Sequence, residues 1–212
     1  MSEEGKVLLL LSGGLDSSVL LNYLLTEERA EVVALFFDRN QSNVAYEREA
    51  AERISREAGA EFEYASIRDW RSAISKFEGP GKPDLILAIP RNAIMVFLST
   101  PFAAAHKCTK IALGISLDDA TTEDSNAEFV AATNALLDVT GQRARVVAPF
   151  LEREWKKEEI VRWAVERLGR DFIEKTRSCY KSSPEPCGTC SACIKREVAL
   201  EKVRTGGGAG GM

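Results

Sequence analysis

The stretch Ser12-Gly13-Gly14-Leu15-Asp16-Ser17-Ser18 directly follows the apolar run Lys6–Leu11, and it constrains this chain more than any other segment. A run of that length without polar alternation reads as a strand buried on both faces. Two glycines break it, and Asp-Ser-Ser then suits the cap and first turn of a helix. The glycines can take φ > 0 conformations that turn successive N–H groups toward one point, and they let an anion approach the main chain closely. The first amides of the helix have no internal partner, and the helix dipole adds partial positive charge there. The Ser17 and Ser18 hydroxyls can also donate to phosphate. Nucleotide chemistry is therefore the first expectation, against an ordinary strand-to-helix turn capped by Asp16.

Further along, strand-like and helix-like patterns alternate. Candidate strands are 6–11, 32–37, 61–65, 110–113 and 145–148, and helical stretches lie near 16–27, 43–58, 92–107, 126–138 and 156–168. Such alternation implies an α/β fold, a doubly wound five-stranded parallel sheet with helices on both faces. Ligands in these sheets sit beyond the C-terminal strand ends. That edge should therefore collect the SGGLDSS turn, Asp38–Gln41, Gly114–Asp119 and Pro149-Phe150. Residues 66–91, with Gly79–Pro83 in their middle, read as a loop or lid with a short helix near 68–76. Residues 1–175 form the expected nucleotide domain, and 205–212 a flexible Gly-rich tail.

Composition excludes several classes. A chain of 212 residues with 45% hydrophobic and 28% charged residues is that of a globular protein, and no apolar run is long enough to span a bilayer. Met1-Ser-Glu-Glu-Gly opens straight into a strand, so no secretory leader and a cytoplasmic location are expected. A net charge of −4 argues against stable nucleic-acid binding, which rests on phosphate neutralisation.

Four of the five cysteines, Cys179, Cys187, Cys190 and Cys193, crowd into fifteen residues, unlike a secreted disulfide framework. Four thiolates suit a closed tetrahedral Zn²⁺ site, structural because no position stays open, with Fe–S ligation as the rival. The expected zinc segment covers 176–204, including a terminal helix. Cys108 reads as a buried apolar thiol, and His106, the only histidine, receives no role.

The turn lacks the Lys of the G-x-x-x-x-G-K-[ST] phosphate loop and resembles the PP-loop of the ATP pyrophosphatases. That resemblance implies attack at the α-phosphorus, with AMP and pyrophosphate as products. Adding the C-terminal cysteine knot, the chain resembles the 7-cyano-7-deazaguanine (preQ0) synthase family of queuosine biosynthesis over nearly its whole length. SGGLDSS resembles the family's SGGxDS, Phe37–Gln41 its F-D-Y-G-Q, and Ile89–Asn92 its V-P-G-R-N without the Gly. Gly114-Ile115 with the following acidic residues, Glu128-Phe129, Ser178-Cys179-Tyr180 and Cys187–Cys193 complete the match. The departures cluster. Thr121–Asn126 replaces a Y-P-D-C stretch near the deazaguanine site, and Arg39-Asn40 replaces Tyr-Gly.

The resemblance implies ATP, Mg²⁺ and Zn²⁺ as cofactors, ammonia and a carboxylic acid of the 7-deazaguanine class as substrates, and a homodimer. It implies an ATP site of Ser12, Gly13, Gly14, Leu15, Asp16, Ser17, Phe37, Gln41 and Arg91, with Asp16, Lys157 and Arg91 catalytic. Lys156 is an almost equal candidate to Lys157 for phosphate contact. Asp118, Asp119 and Asp124 are candidates for a base edge or Mg²⁺, against a solvated acidic loop. The implied reaction is ATP-dependent conversion of 7-carboxy-7-deazaguanine and ammonia to the nitrile. The alternatives are a relative that adenylates another acid or joins a deazaguanine acid to a protein or peptide amine in antiviral defence, and a zinc-stabilised nucleotide-binding module without turnover.

Overall fold

A computed structural model describes residues 5–69, 90–120 and 122–206. Its strands β1 (Val7–Leu10), β2 (Val32–Asp38), β3 (Glu61–Ser66), β4 (Lys110–Ala112) and β5 (Arg145–Val147) form one parallel sheet of order β3-β2-β1-β4-β5. The helices are α1 (Leu15–Thr26), α2 (Val44–Ala58), α3 (Arg91–Ala105), α4 (Ala127–Val139), α5 (Pro149–Glu152), α6 (Lys157–Leu168), α7 (Arg170–Lys175) and α8 (Ser191–Gly206). The expected doubly wound sheet is thus observed. Its order reverses direction on either side of β1, which puts the switch point between β1 and β4.

Side chains of successive strand residues go to opposite faces, and the core divides accordingly. Val7, Leu9, Val32, Ala34 and Phe36 pack against α1, α2, α6, α7 and α8. Leu8, Val33, Leu35, Ile111 and Val146 pack against α3 and α4. Full burial of each such side chain contributes about 1.5–3 kcal/mol. Helix α1 is buried on nearly all sides, through Leu15, Val19, Leu20, Leu21, Tyr23 and Leu24. It lies between α2 and α6, which accounts for its apolar sequence. Helix α8 packs on α6 and adds Ala199 and Leu200 to the same core, so the segment after the cysteines shares the main fold's interior.

Several local expectations are corrected. Strand β3 is an edge strand, half-exposed rather than covered on both faces. Helices α5 and α7 appear where no helix was expected, because runs of four and six residues are too short to show periodicity. Pro101 lies inside α3, and the Phe97 carbonyl, which a proline nitrogen cannot serve, accepts from the Thr100 hydroxyl at 2.9 Å instead. Most of the expected lid helix at 68–76, and the tail beyond Gly206, lie outside the described residues. Among the described residues no helix is long and apolar enough to cross a membrane.

Candidate active site

The turn after β1 has the shape its glycines allow, with one change of detail. Only Gly13 takes positive φ, at +74°, while Gly14 is extended at φ −72° and ψ 168° and is itself the N-cap of α1. Asp16 therefore sits inside the first turn instead of capping it. A Cβ on Gly13 would lie 2.3 Å from the Glu47 carbonyl oxygen, so the turn is pressed against α2. On the other side a Cβ on Gly114, just past β4, would lie 2.8 Å from the Ser17 nitrogen. Both glycines are thus required by close approach to the main chain. Within the turn the Ser12 and Ser17 hydroxyls meet at 3.0 Å, and the Ser12 Oγ accepts from the Gly14 N–H at 3.3 Å.

Asp16 and Lys157 meet across this turn, Nζ of the lysine donating to Oδ2 of the aspartate. Burial pushes the Asp16 carboxyl above its ordinary range, and the lysine charge pulls it back without fully offsetting this. The other oxygen, Oδ1, is buried and has no hydrogen-bond partner. Mg²⁺ takes one or two carboxylate oxygens together with substrate phosphates, so this orphaned oxygen fits the implied ion. Lys156 supplies its backbone N–H to Glu159 at 2.9 Å, as N-cap of α6.

The three acidic candidates separate. Asp118 turns to α6: its Oδ2 accepts from the Lys157 backbone N–H at 2.7 Å, which steadies the start of that helix. Asp119 does face the turn, accepting from the Ser116 hydroxyl at 2.7 Å with Lys195 Nζ at 3.6 Å. Asp124 accepts from the Asn92 backbone N–H at 2.9 Å and so holds the first turn of α3, where Arg91 stands.

Beyond the turn lies a cleft of about 1300 Å³ at the C-terminal ends of the strands. Ser12, Ser17, Phe37, Gln41, Arg91, Asp119 and Asp124 all line it. Its apolar wall comes from Phe37, Met95, Phe97, Phe129 and Leu136, a surface suited to a flat heterocycle. A smaller cavity of about 240 Å³ adjoins the turn, lined by Gly14, Asp16, Lys157, Arg177 and Ser178 among others. Sequence reasoning thus located the shared edge correctly and placed most candidates on it.

It gave no site role to Glu47 and Lys195, and named Ser178 only as part of the motif around Cys179. Glu47 lines both cavities. Gln41 reaches it at 2.8 Å and Asn43 at 2.9 Å. Ser178 Oγ accepts from the Leu15 N–H at 3.2 Å, and the Arg177 N–H donates to the Gly13 carbonyl at 2.7 Å. The segment leading into the cysteines is therefore bound to the phosphate turn itself.

The four cysteine sulfurs all lie within 4.8 Å of one another, with no disulfide between them. A single tetrahedral ion with bonds of ~2.3 Å spaces its ligands about 3.8 Å apart, so the group fits one ion. A four-iron cluster puts each thiolate on a separate iron and spreads them wider. Backbone N–H groups of Lys181 and Cys187 donate to Cys179 Sγ at 3.4 and 3.3 Å, and that of Cys190 to Cys187 Sγ at 3.4 Å. Hydrogen bonding, led by the Thr189 hydroxyl, brings the Cys187 thiol down to about 5, which favours the thiolate a metal needs.

Residues 6–204 match the protein family described as QueC, queuosine biosynthesis protein QueC. Among similar curated proteins are two named 7-cyano-7-deazaguanine synthase. The one from Persephonella marina is 29% identical, over 96% of this chain and 95% of its own length. That from Aquifex aeolicus is 31% identical, over 96% of this chain and 100% of its own. An NMN synthetase from Francisella tularensis shares the fold at a TM-score of 0.56 and 15% identity, covering 95% of this chain and 83% of that one.

Proposed function

The chain belongs to the QueC family, within the PP-loop ATP-dependent ligases, and from that premise we propose that it converts 7-carboxy-7-deazaguanine and ammonia to 7-cyano-7-deazaguanine. The observation that carries this reading is the meeting of the Gly13-Gly14 turn, the Asp16–Lys157 pair and the aromatic cleft at one sheet edge. A carboxylate is a poor electrophile, because its charge repels an amine and its oxide cannot leave. Its oxygen attacks the α-phosphorus of ATP, pyrophosphate departs, and the acid carbon then carries AMP as leaving group. Ammonia forms the C–N bond as the C–O bond to AMP breaks, and loss of one proton from the nitrogen gives the amide. A second ATP activates the amide oxygen, and loss of AMP with two protons leaves the nitrile.

The residues act by positioning and by stabilising phosphate charge. The amides of the turn with Ser12 and Ser17 hold the departing pyrophosphate, and Lys157 adds a cation beside it. Asp16 Oδ1 would hold Mg²⁺, which supplies charge neutralisation on the phosphates. Arg91 lines the cleft next to Asn92, whose N–H Asp124 holds, and would clamp phosphate or acid there. Zn²⁺ on the four cysteines would keep Arg177 and Ser178 against the turn.

A second reading is a relative that adenylates a different acid, or that joins a deazaguanine acid to a protein or peptide amine. It is favoured by the altered residues at the cleft, where Arg39 and the 122–125 segment face the ligand space. The test is to supply ATP, Mg²⁺, ammonium and the deazaguanine acid and to measure nitrile by mass spectrometry. AMP without amide or nitrile would support the second reading.

A further inference from the structure

The amine arrives near neutral pH as ammonium, which has no lone pair, so some group must take a proton before the C–N bond can form. His106 cannot do so, because it contacts Glu61 and Glu63 at the start of β3, the sheet edge opposite the cleft. Asp16 is paired with Lys157 through Oδ2 while its Oδ1 is the oxygen assigned above to Mg²⁺, Asp119 is paired with Ser116 and Lys195, and Asp124 with the start of α3. Glu47 is differently placed. Its two oxygens each accept one side-chain amide N–H, from Asn43 on Oε1 and Gln41 on Oε2. A carboxylate has about four acceptor sites, so lone pairs remain on both. It lines both the cavity at the turn and the aromatic cleft, and in the reaction proposed above the activated carbon joins the phosphate held in the one to the heterocycle held in the other.

We propose that Glu47 binds the incoming ammonium and is the base that takes its proton, a further role that rests on the reaction proposed above. The first ammonium N–H bond breaks toward a Glu47 oxygen, the freed nitrogen pair forms the C–N bond while AMP leaves with the C–O electrons, and the nitrogen's second surplus proton passes to the departing AMP phosphate, leaving the neutral amide. Burial holds the Glu47 carboxyl above the ordinary range, which makes it a stronger base; the Gln41 and Asn43 amides and the charges of Arg39 and Arg177 limit that rise.

The experiment compares two half-reactions in Glu47→Gln. Acid-dependent exchange of labelled pyrophosphate into ATP reports adenylation alone. Ammonium-dependent product reports the amine step, and hydroxylamine, a neutral nucleophile near neutral pH, bypasses the proton transfer. Exchange should persist, ammonium-dependent product should fall on the order of 10²-fold, and hydroxylamine should restore hydroxamate formation. Glu47→Asp should retain more ammonium-dependent turnover than Glu47→Gln, which keeps the test open if the amide variant folds poorly. Equal loss of exchange and product in both variants would overturn the proposal and make Glu47 a nucleotide or magnesium ligand. Equal loss with hydroxylamine and ammonium would also overturn it. If the unaltered protein shows no exchange with the deazaguanine acid, the substrate reading fails first and the proposal falls with it.

Discussion

Lys157, at the first residue of α6, donates through Nζ to Oδ2 of Asp16, in the first turn of α1, across 141 positions of chain. Two helix N-termini are thereby brought to one point, and each contributes partial positive charge to it. The pair is half of an unfinished arrangement, since Asp16 Oδ1 is buried without a partner. In the reaction proposed above, a divalent ion and phosphate oxygens would complete it.

Lys157→Met should lower kcat/KM for ATP by roughly 10²–10³-fold, the usual effect of removing one charge-stabilising donor. Lys156→Met should change it little, because Lys156 contributes its backbone N–H to Glu159. Steady-state AMP release in the two variants decides between the lysines.

The two glycines of the turn should respond differently. Gly13→Ala puts a Cβ 2.3 Å from the Glu47 oxygen at φ +74° and should destabilise the fold by about 2–3 kcal/mol or more. Gly14→Ala meets the Ser12 Oγ at 3.2 Å, a side-chain atom that can shift, and the Arg177 carbonyl and Ser178 Oγ at ordinary contact distances of 3.8 and 3.9 Å, with a backbone open to any residue, so it should melt nearly normally. Its effect should appear in the KM for ATP, where a methyl group hinders phosphate. Thermal melts beside ATP titrations test this.

Asp38 offers a pH test. Burial pushes its carboxyl up, but hydrogen bonds from Tyr64 at 2.7 Å, the Asn40 N–H at 2.9 Å and Arg68 at 2.8 Å outweigh that and hold it below 3.8. A carboxyl depressed in the fold contributes stability that is present above its unfolded value and lost as pH falls through its folded one. Asp38→Asn should therefore cost about 1.5–3 kcal/mol at neutral pH, and the gap to the unaltered protein should close below pH 3.8. Urea melts across that range measure it.

The cysteine group should carry one metal ion per chain. Removing it by chelation should lower the melting temperature and also weaken ATP binding, because Arg177 and Ser178 hold Gly13 and Leu15. Metal analysis by mass spectrometry and calorimetric ATP titration check both parts; unaltered ATP affinity after complete metal loss would contradict the link.

Much of this was legible because local chemistry and topology agreed. An apolar strand followed by two glycines has few conformations, and strand-helix alternation brings each strand's C-terminal end to one edge. Four cysteines in fifteen residues announce themselves by spacing. Glu47 carried no such signal, since a glutamate in an amphipathic helix is ordinary until Gln41 and Asn43 are seen to aim it. Asp118 and Asp119 are adjacent and read alike, yet one steadies α6 and the other faces the turn. Only the path of the short helical turn at Leu117–Asp119 separates them.

The most direct test of the account supplies ATP, Mg²⁺, ammonium and 7-carboxy-7-deazaguanine to the purified protein and follows AMP by chromatography and deazaguanine products by mass spectrometry. The product should be 7-cyano-7-deazaguanine, with two AMP released per nitrile. Absence of AMP formation, with this acid or with any other carboxylate supplied, would contradict it.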